Sequence, residues 1–292
     1  MDPAARKVKG IGSIDTLPDG LCEQLADLAQ QCITGFSDDR PVSASLVRSR
    51  LTNALTGAPP VLAVARDDRG VTGWCAVRRP EPGEARARLW GPVVAPGARR
   101  AGLGTRLLDA VAGAAPWPLL TTDVPADRPG AADFFARSGW TELDTVTVLH
   151  GSPASGGFEA ATADTLPELE AYVTAAARRH AGHEEAFAKA TLRRWQDDAR
   201  FRPGNLLLDT STGSLLLALA QHTTVSSELL LGEVWAADED VRRRLITAAH
   251  TIAAEQRLGT VRAVTRQEPG DFVACGMHIT GRCSTFALPG ER

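Results

Sequence analysis

The chain repeats its own order of segments. Residues 151–157 are a run of Gly, Ser, Pro and Ala, and the same succession of apolar stretches recurs on either side of it. Such a run has little to bury and many backbone conformations, so it reads as a connector. Before it, residues 9–17 suit a strand. Leu21, Leu25, Leu28 and Cys32 then recur on one face of a helix. A second helix over 43–55 has Ser43 as its N-cap. Strands over 61–66 and 71–77 flank Asp67-Asp68-Arg69-Gly70, a hairpin signal. A strand over 86–94 sets Arg86 and Arg88 against Ala87 and Leu89, and Leu103, Leu107, Leu108 and Val111 mark the next helix. A strand over 119–124, a helix over 129–138 and a strand over 141–150 complete the first half.

The second half runs in parallel. It reads as a strand over 158–162, a long helical region over 167–195, and strands over 206–209, 214–222 and 228–235. A helical stripe of Val241, Leu245, Ala249 and Ile252 follows, then a strand over 261–265, a short helix over 271–275 and a strand over 278–288. Leu89-Trp90-Gly91-Pro92-Val93 matches Leu230-Leu231-Gly232-Glu233-Val234, and Gly139-Trp140 matches Gly276-Met277. Each half is α/β, a mixed, mostly antiparallel sheet flanked by helices. Two tandem copies of one fold is the simplest reading, with domains over 1–150 and 158–292 joined by 151–157.

Composition excludes several classes. The 292 residues carry a net charge of −3, and the charges are spread over both halves. No basic face announces nucleic acid as a partner. No apolar run approaches the ~20 residues of a membrane span, and the N-terminus lacks the apolar core of a secretory signal. The five cysteines form no Cys-x-x-Cys, which fits reduced thiols in a cytoplasmic protein. His180 and His183, three residues apart around Gly182, lack the spacing and third ligand of a zinc helix. No metal is expected.

The densest chemical signal is the stretch from Val93 to Leu108, Val-Val-Ala-Pro-Gly-Ala-Arg-Arg-Ala-Gly-Leu-Gly-Thr-Arg-Leu-Leu. An apolar strand ends at a Pro-Gly turn, and a glycine-spaced loop opens directly into an amphipathic helix. At that junction several N–H groups lack intrahelical partners, and the helix adds partial positive charge. Gly102 and Gly104 remove side chains that would block close approach, while Arg99 and Arg100 supply charge. A pyrophosphate is the natural guest. The Lys-Ser/Thr of a Walker loop is absent after Gly104, so nucleotide hydrolysis is not indicated.

Arg99-x-x-Gly102-x-Gly104, preceded by Val94-Ala95-Pro96, resembles the coenzyme A pyrophosphate signature of the GNAT superfamily of N-acetyltransferases. Ala131-Ala132-Asp133-Phe134-Phe135-Ala136-Arg137-Ser138-Gly139-Trp140 is similar to that family's fourth-helix motif. The resemblance covers residues 9–150 and extends, with degraded motifs, to 158–288. It implies a tandem GNAT protein using acetyl-CoA or another acyl-CoA. The strand ending at Val94 and the strand over 119–124 would splay apart. Pantetheine would then pair with the main chain of Val93, Val94 and Ala95, where a strand N–H would meet the thioester carbonyl. The segment Arg99, Arg100, Ala101, Gly102, Leu103, Gly104 and Thr105 would hold the pyrophosphate, and Phe134 and Phe135 would flank the cofactor arm. Arg128 stands where the family often has a pantetheine-contacting Asn.

In the second copy Asp238-Glu239-Asp240 replaces the glycine loop. Three carboxylates favour a helix N-terminus but repel phosphate, so one coenzyme A site per chain is expected. The catalytic groups are less marked. The family's usual acid, a fourth-helix Tyr, is replaced by Phe135 and, in the second copy, by Phe272, and the single tyrosine is Tyr172. Glu233 is a candidate general base, or an exposed edge charge. Asp123 is a candidate for orienting the acceptor, and His222 reads as solvated. Three functions stay open: acyl transfer to an amine of a small molecule, non-catalytic acyl-CoA binding, and other acyl-CoA chemistry such as O-acylation or decarboxylation. The expected partner is a small-molecule acceptor, and the chain is expected to be a monomer or homodimer.

Overall fold

Apolar side chains at helical spacing in the first helix lie against alternating apolar residues of the strands beneath it. The computed structural model describes residues 10–33, 42–55, 61–80, 86–156, 160–165, 168–198, 200–222, 227–266 and 268–289. They divide into two compact units, one taking in the chain to Leu143 together with Ser284 onward, the other Asp144–Cys283.

The first unit begins with β1 (Gly10–Ser13), α1 (Leu21–Ile33) and α2 (Ala44–Leu55). Next come β2 (Leu62–Asp67), β3 (Gly70–Arg78), β4 (Ala87–Val94), α3 (Leu103–Ala114), β5 (Leu119–Pro125) and α4 (Ala131–Arg137). Two further strands, β6 (Thr141–Gly151) and β12 (His278–Pro289), have residues in both units. The strand order here is β1-β2-β3-β4-β5-β12. Neighbours from β1 to β4 are antiparallel, and β4 and β5 are parallel. On one face Leu21, Leu25 and Leu28 of α1 and Val47 and Leu51 of α2 bury Val64 and Trp74. On the other, Leu103, Leu107, Leu108 and Val111 of α3 cover Ala65, Cys75 and Leu89. The α2 start behaves as its sequence suggests, with the Ser43 hydroxyl accepting from the Leu46 amide at 3.2 Å.

The second unit contains β7 (Ala161–Thr162), α5 (Leu169–Ala181), α6 (Glu185–Asp197), β8 (Leu206–Asp209), β9 (Ser214–His222), β10 (Ser227–Trp235), α7 (Glu239–Glu255), β11 (Thr260–Thr265) and α8 (Gly270–Ala274). Its strand order is β12-β6-β11-β10-β9-β8-β7, with β10 and β11 parallel. Leu245, Ile246 and Ala249 of α7 pack one face, and Val173, Leu192 and Trp195 of α5 and α6 pack the other.

Three expectations are modified. The helical region over 167–195 is two helices, because Gly182 takes a left-handed φ of 66° and ends α5. The strand expected over 158–162 is described at Ala161–Thr162, residues 158 and 159 lying outside the described residues, as does residue 9 of the first expected strand. The compact units part at 143/144 instead of in the connector, and residues 284–289 join the first unit. The reason is pairing: Thr147–Gly151 of β6 run antiparallel to β11, whereas Phe286 of β12 stacks on Phe135 at 5.9 Å.

Asp209, at the end of β8, illustrates what holds the second unit. Burial pushes its carboxyl pKa up. Bonds from the Ser211 hydroxyl (2.5 Å), the Arg244 guanidinium (2.7 Å) and the Thr212 amide (3.2 Å) more than offset that and bring it down to about 2. A carboxylate depressed on folding stabilises the protein above its unfolded value near 4, and that stabilisation fades as pH falls through about 2. Asp209→Asn is expected to cost about 2 kcal/mol at neutral pH, with the difference from the unaltered protein vanishing below pH 2. Urea unfolding at pH 7 and pH 2 checks this; an equal difference at both would show that charge is not the cause.

Candidate active site

The site starts from a break in β4. Trp74 pairs with Val93 and Ala76 with Trp90, so β4 holds one residue more than β3 across this interval. Gly91 has a φ of 107°, and a Cβ there would sit 3.0 Å from the Trp74 carbonyl oxygen and the Val93 nitrogen. No other residue fits without moving backbone. Pairing between β4 and β5 is confined to Ala87 with Leu120 and Arg88 with Thr121. From Leu89 to Val94 the two parallel strands diverge, as the resemblance implies.

Beyond the splay, Pro96–Ala98 form a single 3-10 turn, and Arg100 and Gly102 take positive φ of 61° and 73°. A left-handed Arg is a strained conformation of the kind that clusters at binding sites. Gly102 caps α3 without any side-chain hydrogen bond, so the first-turn amides of Leu103, Gly104 and Thr105 remain directed outward. The Leu103 side chain is buried and fixes the start of the helix, while Arg99, Arg100, Ala101 and Thr105 are exposed. A Cβ on Gly102 would meet nothing within 4 Å, whereas one on Gly104 would lie 3.4 Å from the Phe134 ring and 3.8 Å from Pro92. Gly104 therefore lets the first turn of α3 approach both α4 and the bulge. An open helix terminus, two exposed arginines and an unpaired strand edge fit the phosphates and extended arm of coenzyme A.

Several contacts differ from those the resemblance implies. The Ala95 amide already donates to the Thr72 carbonyl at 2.9 Å. The Val94 carbonyl accepts from Arg99 Nε at 3.1 Å and from Cys32 Sγ at 3.3 Å. Ala95 is thus tied to β3, and Arg99 braces the strand end as well as charging the loop. Val93 is buried against α1 and α2 and pairs with Trp74 of β3. Phe134 is half-buried beside Gly104, but Phe135 turns into the core against Trp140 (5.3 Å) and Phe286. Phe135 therefore packs the fold, because its neighbours close around it, and does not flank the loop. Arg128 is half-buried in the turn between β5 and α4, its amide donating to the Pro125 carbonyl.

Asp123 is tied twice. Its Oδ1 accepts from the Thr285 hydroxyl at 2.6 Å and its Oδ2 from Arg88 at 3.1 Å. The alternation of Arg86 and Arg88 was the only sequence signal for that partner, and Thr285 gave none. Glu233 sits in an irregular stretch of β10 with its side chain 45% exposed, 3.9 Å from Arg194. The carboxylate is thus open to water and faces an arginine. The Tyr172 hydroxyl is shared between the carbonyls of Asp209 and Ser214, and burial, with the nearby Asp209, pushes its pKa up to about 12. His183 stacks on Phe187, and His180 meets the Thr212 carbonyl. Among the described residues no three His, Cys, Asp or Glu gather as a metal site, and no helix is long and apolar enough to cross a membrane.

The second copy closes what the first leaves open. The Asp238 carboxylate caps α7, accepting from the Val241 amide at 2.9 Å. Asp271 takes Arg242 and Arg243, and Glu239 also pairs with Arg243. Pairing of β10 with β11 continues to Leu231 in a strand ending at Trp235, a shallower divergence than in the first copy.

Residues 23–140 match the acetyltransferase (GNAT) family. Solved structures of similar fold include a GCN5-related N-acetyltransferase from Sphaerobacter thermophilus, 16% identical, covering 95% of this chain and 98% of that one at a TM-score of 0.68. A tandem GNAT protein from the clavulanic acid biosynthesis pathway is 18% identical, with 92% and 96% covered and a TM-score of 0.61. The GCN5-related glucosamine N-acetyltransferase region of a fungal multi-domain β-N-acetylglucosaminidase is 15% identical, with 96% of this chain and 38% of that one covered at a TM-score of 0.72. No curated protein matches the sequence. The first unit thus contains a stretch similar to the GNAT family, and the chain as a whole shares the fold of these solved structures, the tandem GNAT protein among them.

Proposed function

We propose that this chain transfers an acetyl or other short acyl group from acyl-CoA to an amine of a small molecule, using the first unit alone to hold the cofactor. The observation that carries this is the asymmetry between copies. One has a deep strand splay leading to an uncapped helix terminus; in the other that terminus is occupied by the chain's own carboxylates. Acyl-CoA supplies a thioester activated toward amines. The first-turn amides of α3 and the guanidinium groups of Arg99 and Arg100 bind phosphate, and the β4 edge before Val94 orients the arm. Positioning of the two reactants is then the main catalytic device, since proximity alone contributes several kcal/mol.

A second reading has a specific observation behind it. Phe135 and Phe272 are core residues and the Tyr172 hydroxyl is held by two carbonyls, so the described residues offer no phenol to protonate a thiolate. A non-catalytic acyl-CoA-binding protein would show the same features. Native mass spectrometry and calorimetry are expected to give one acyl-CoA per chain; two equal sites would overturn the one-copy assignment. Release of free thiol in the presence of an amine panel separates transfer from mere binding.

A further inference from the structure

An ion pair between Arg88 and Asp123 bridges β4 and β5 of the first unit. Arg88 and Thr121 are the last residues at which β4 and β5 pair. Ala87, Leu89, Leu120 and Val124 turn into the core shared with α3, whereas Trp90 packs with residues of α1 and α2. Alternation along the strands puts Arg88, Trp90, Thr121 and Asp123 on the α1–α2 face, where the splay begins. Thr285 is fully buried and holds Asp123 from behind at 2.6 Å. The Arg88 and Asp123 side chains remain 36% and 24% exposed. Trp90 continues the same face, with the Arg50 guanidinium 4.8 Å from its ring centroid and Trp74 edge-on at 4.7 Å.

We propose that this pair is the acceptor subsite and that the acceptor is zwitterionic, an amino acid or a small molecule ending in one, its carboxylate on Arg88 and its amino group on Asp123. The proposal rests on the acyl-transfer reading above. A plain cationic amine binding at Asp123 would have to loosen Arg88 and leave a half-buried guanidinium without its counter-charge. A zwitterion exchanges one ion pair for two and gives the Arg88 guanidinium a new carboxylate partner for the one it loosens. Arg88 presents the planar fork suited to a carboxylate. In the transfer the neutral amine nitrogen forms the C–N bond as the C–S bond breaks. The ammonium first gives one proton to water, and the remaining N–H proton lost on amide formation goes to the departing thiolate. Asp123 orients the nitrogen throughout.

The test compares the unaltered protein on matched sets: an α-amino acid, its carboxamide and its decarboxylated amine, with thiol release followed at saturating acetyl-CoA and acetyl-CoA affinity measured separately. The amino acid is expected to have a KM about 10- to 100-fold below its two analogues, the range of one charge-assisted bond. Arg88→Met should raise the KM for the amino acid to that of its amide, and Arg88→Lys should restore part of the preference. Equal or better turnover of the carboxylate-free amines overturns the proposal. No turnover of any member by protein that binds acetyl-CoA normally overturns the acyl-transfer reading on which the proposal rests. Failure to bind acetyl-CoA overturns that reading as well. The substrate comparison needs no variant, so misfolding of Arg88→Met does not blunt it.

Discussion

Gly104→Glu is expected to weaken acyl-CoA binding by about 100- to 1000-fold while the protein stays folded. The position lies in the first turn of α3, where the amides face outward. A carboxylate held about 4 Å from a phosphate charge costs about 4 kcal/mol in a medium of protein-surface polarity, which is about a thousandfold in affinity. Gly104 is half-buried, so solvent reduces that figure. The fold should survive because Glu is a better helix former than Gly and is favoured in a first turn. The new Cβ needs only a few tenths of an ångström of give from the Phe134 ring, which it meets at 3.4 Å. Gly104→Ala adds the same Cβ without the charge and should lose far less. Calorimetric titration with acetyl-CoA measures both. An unchanged affinity in Gly104→Glu would show that α3 does not receive the phosphates.

What could be seen in the sequence follows from how local each determinant is. The cofactor loop is legible because its parts adjoin: a strand end, a Pro-Gly turn, two glycines and an apolar helical stripe within sixteen residues of chain. The stripe of α1 is legible for the same reason, since periodicity alone selects its buried face. Asp123 was flagged by its strand-end position, but its partner Thr285 is 162 residues away along the chain, and no spacing rule reaches that far. Phe135 shows a different limit. It adjoins Phe134 in sequence, yet one ring borders Gly104 and the other fills the core, because neighbouring helical residues point about 100° apart. The boundary between compact units escaped because a flexible connector marks freedom of the backbone, whereas membership of a unit is decided by strand pairing. The break at Gly182 was visible in composition but outweighed by the helical pattern around it.

The degenerate copy makes the opposite use of the same helix–helix junction. In the first copy the approach of α3 to α4 is made by glycine. In the second, Asp271 of α8 has a side chain only 8% exposed and lies between Arg242 at 2.5 Å and Arg243 at 3.0 Å. Two adjacent arginines near a helix N-terminus would otherwise repel each other and the positive end of their own helix dipole. The Asp271 carboxylate, with Glu239 and the Asp238 cap, supplies internally the negative charge that phosphate would bring to the first copy. Asp271→Ala is therefore expected to destabilise the second unit. Breaking a fully buried pair costs about 3–5 kcal/mol; Arg242 and Arg243 are 26% and 40% exposed, so water takes up part of the loss and about 1–3 kcal/mol is expected. The variant should still bind a single acyl-CoA, because Asp238 continues to occupy the α7 terminus and Glu239 remains beside it. Urea denaturation and native mass spectrometry read the two effects separately. An unaltered denaturation midpoint would mean that the two arginines are solvated as well without Asp271 as with it, and a second bound acyl-CoA would mean that Asp271 alone had been excluding one.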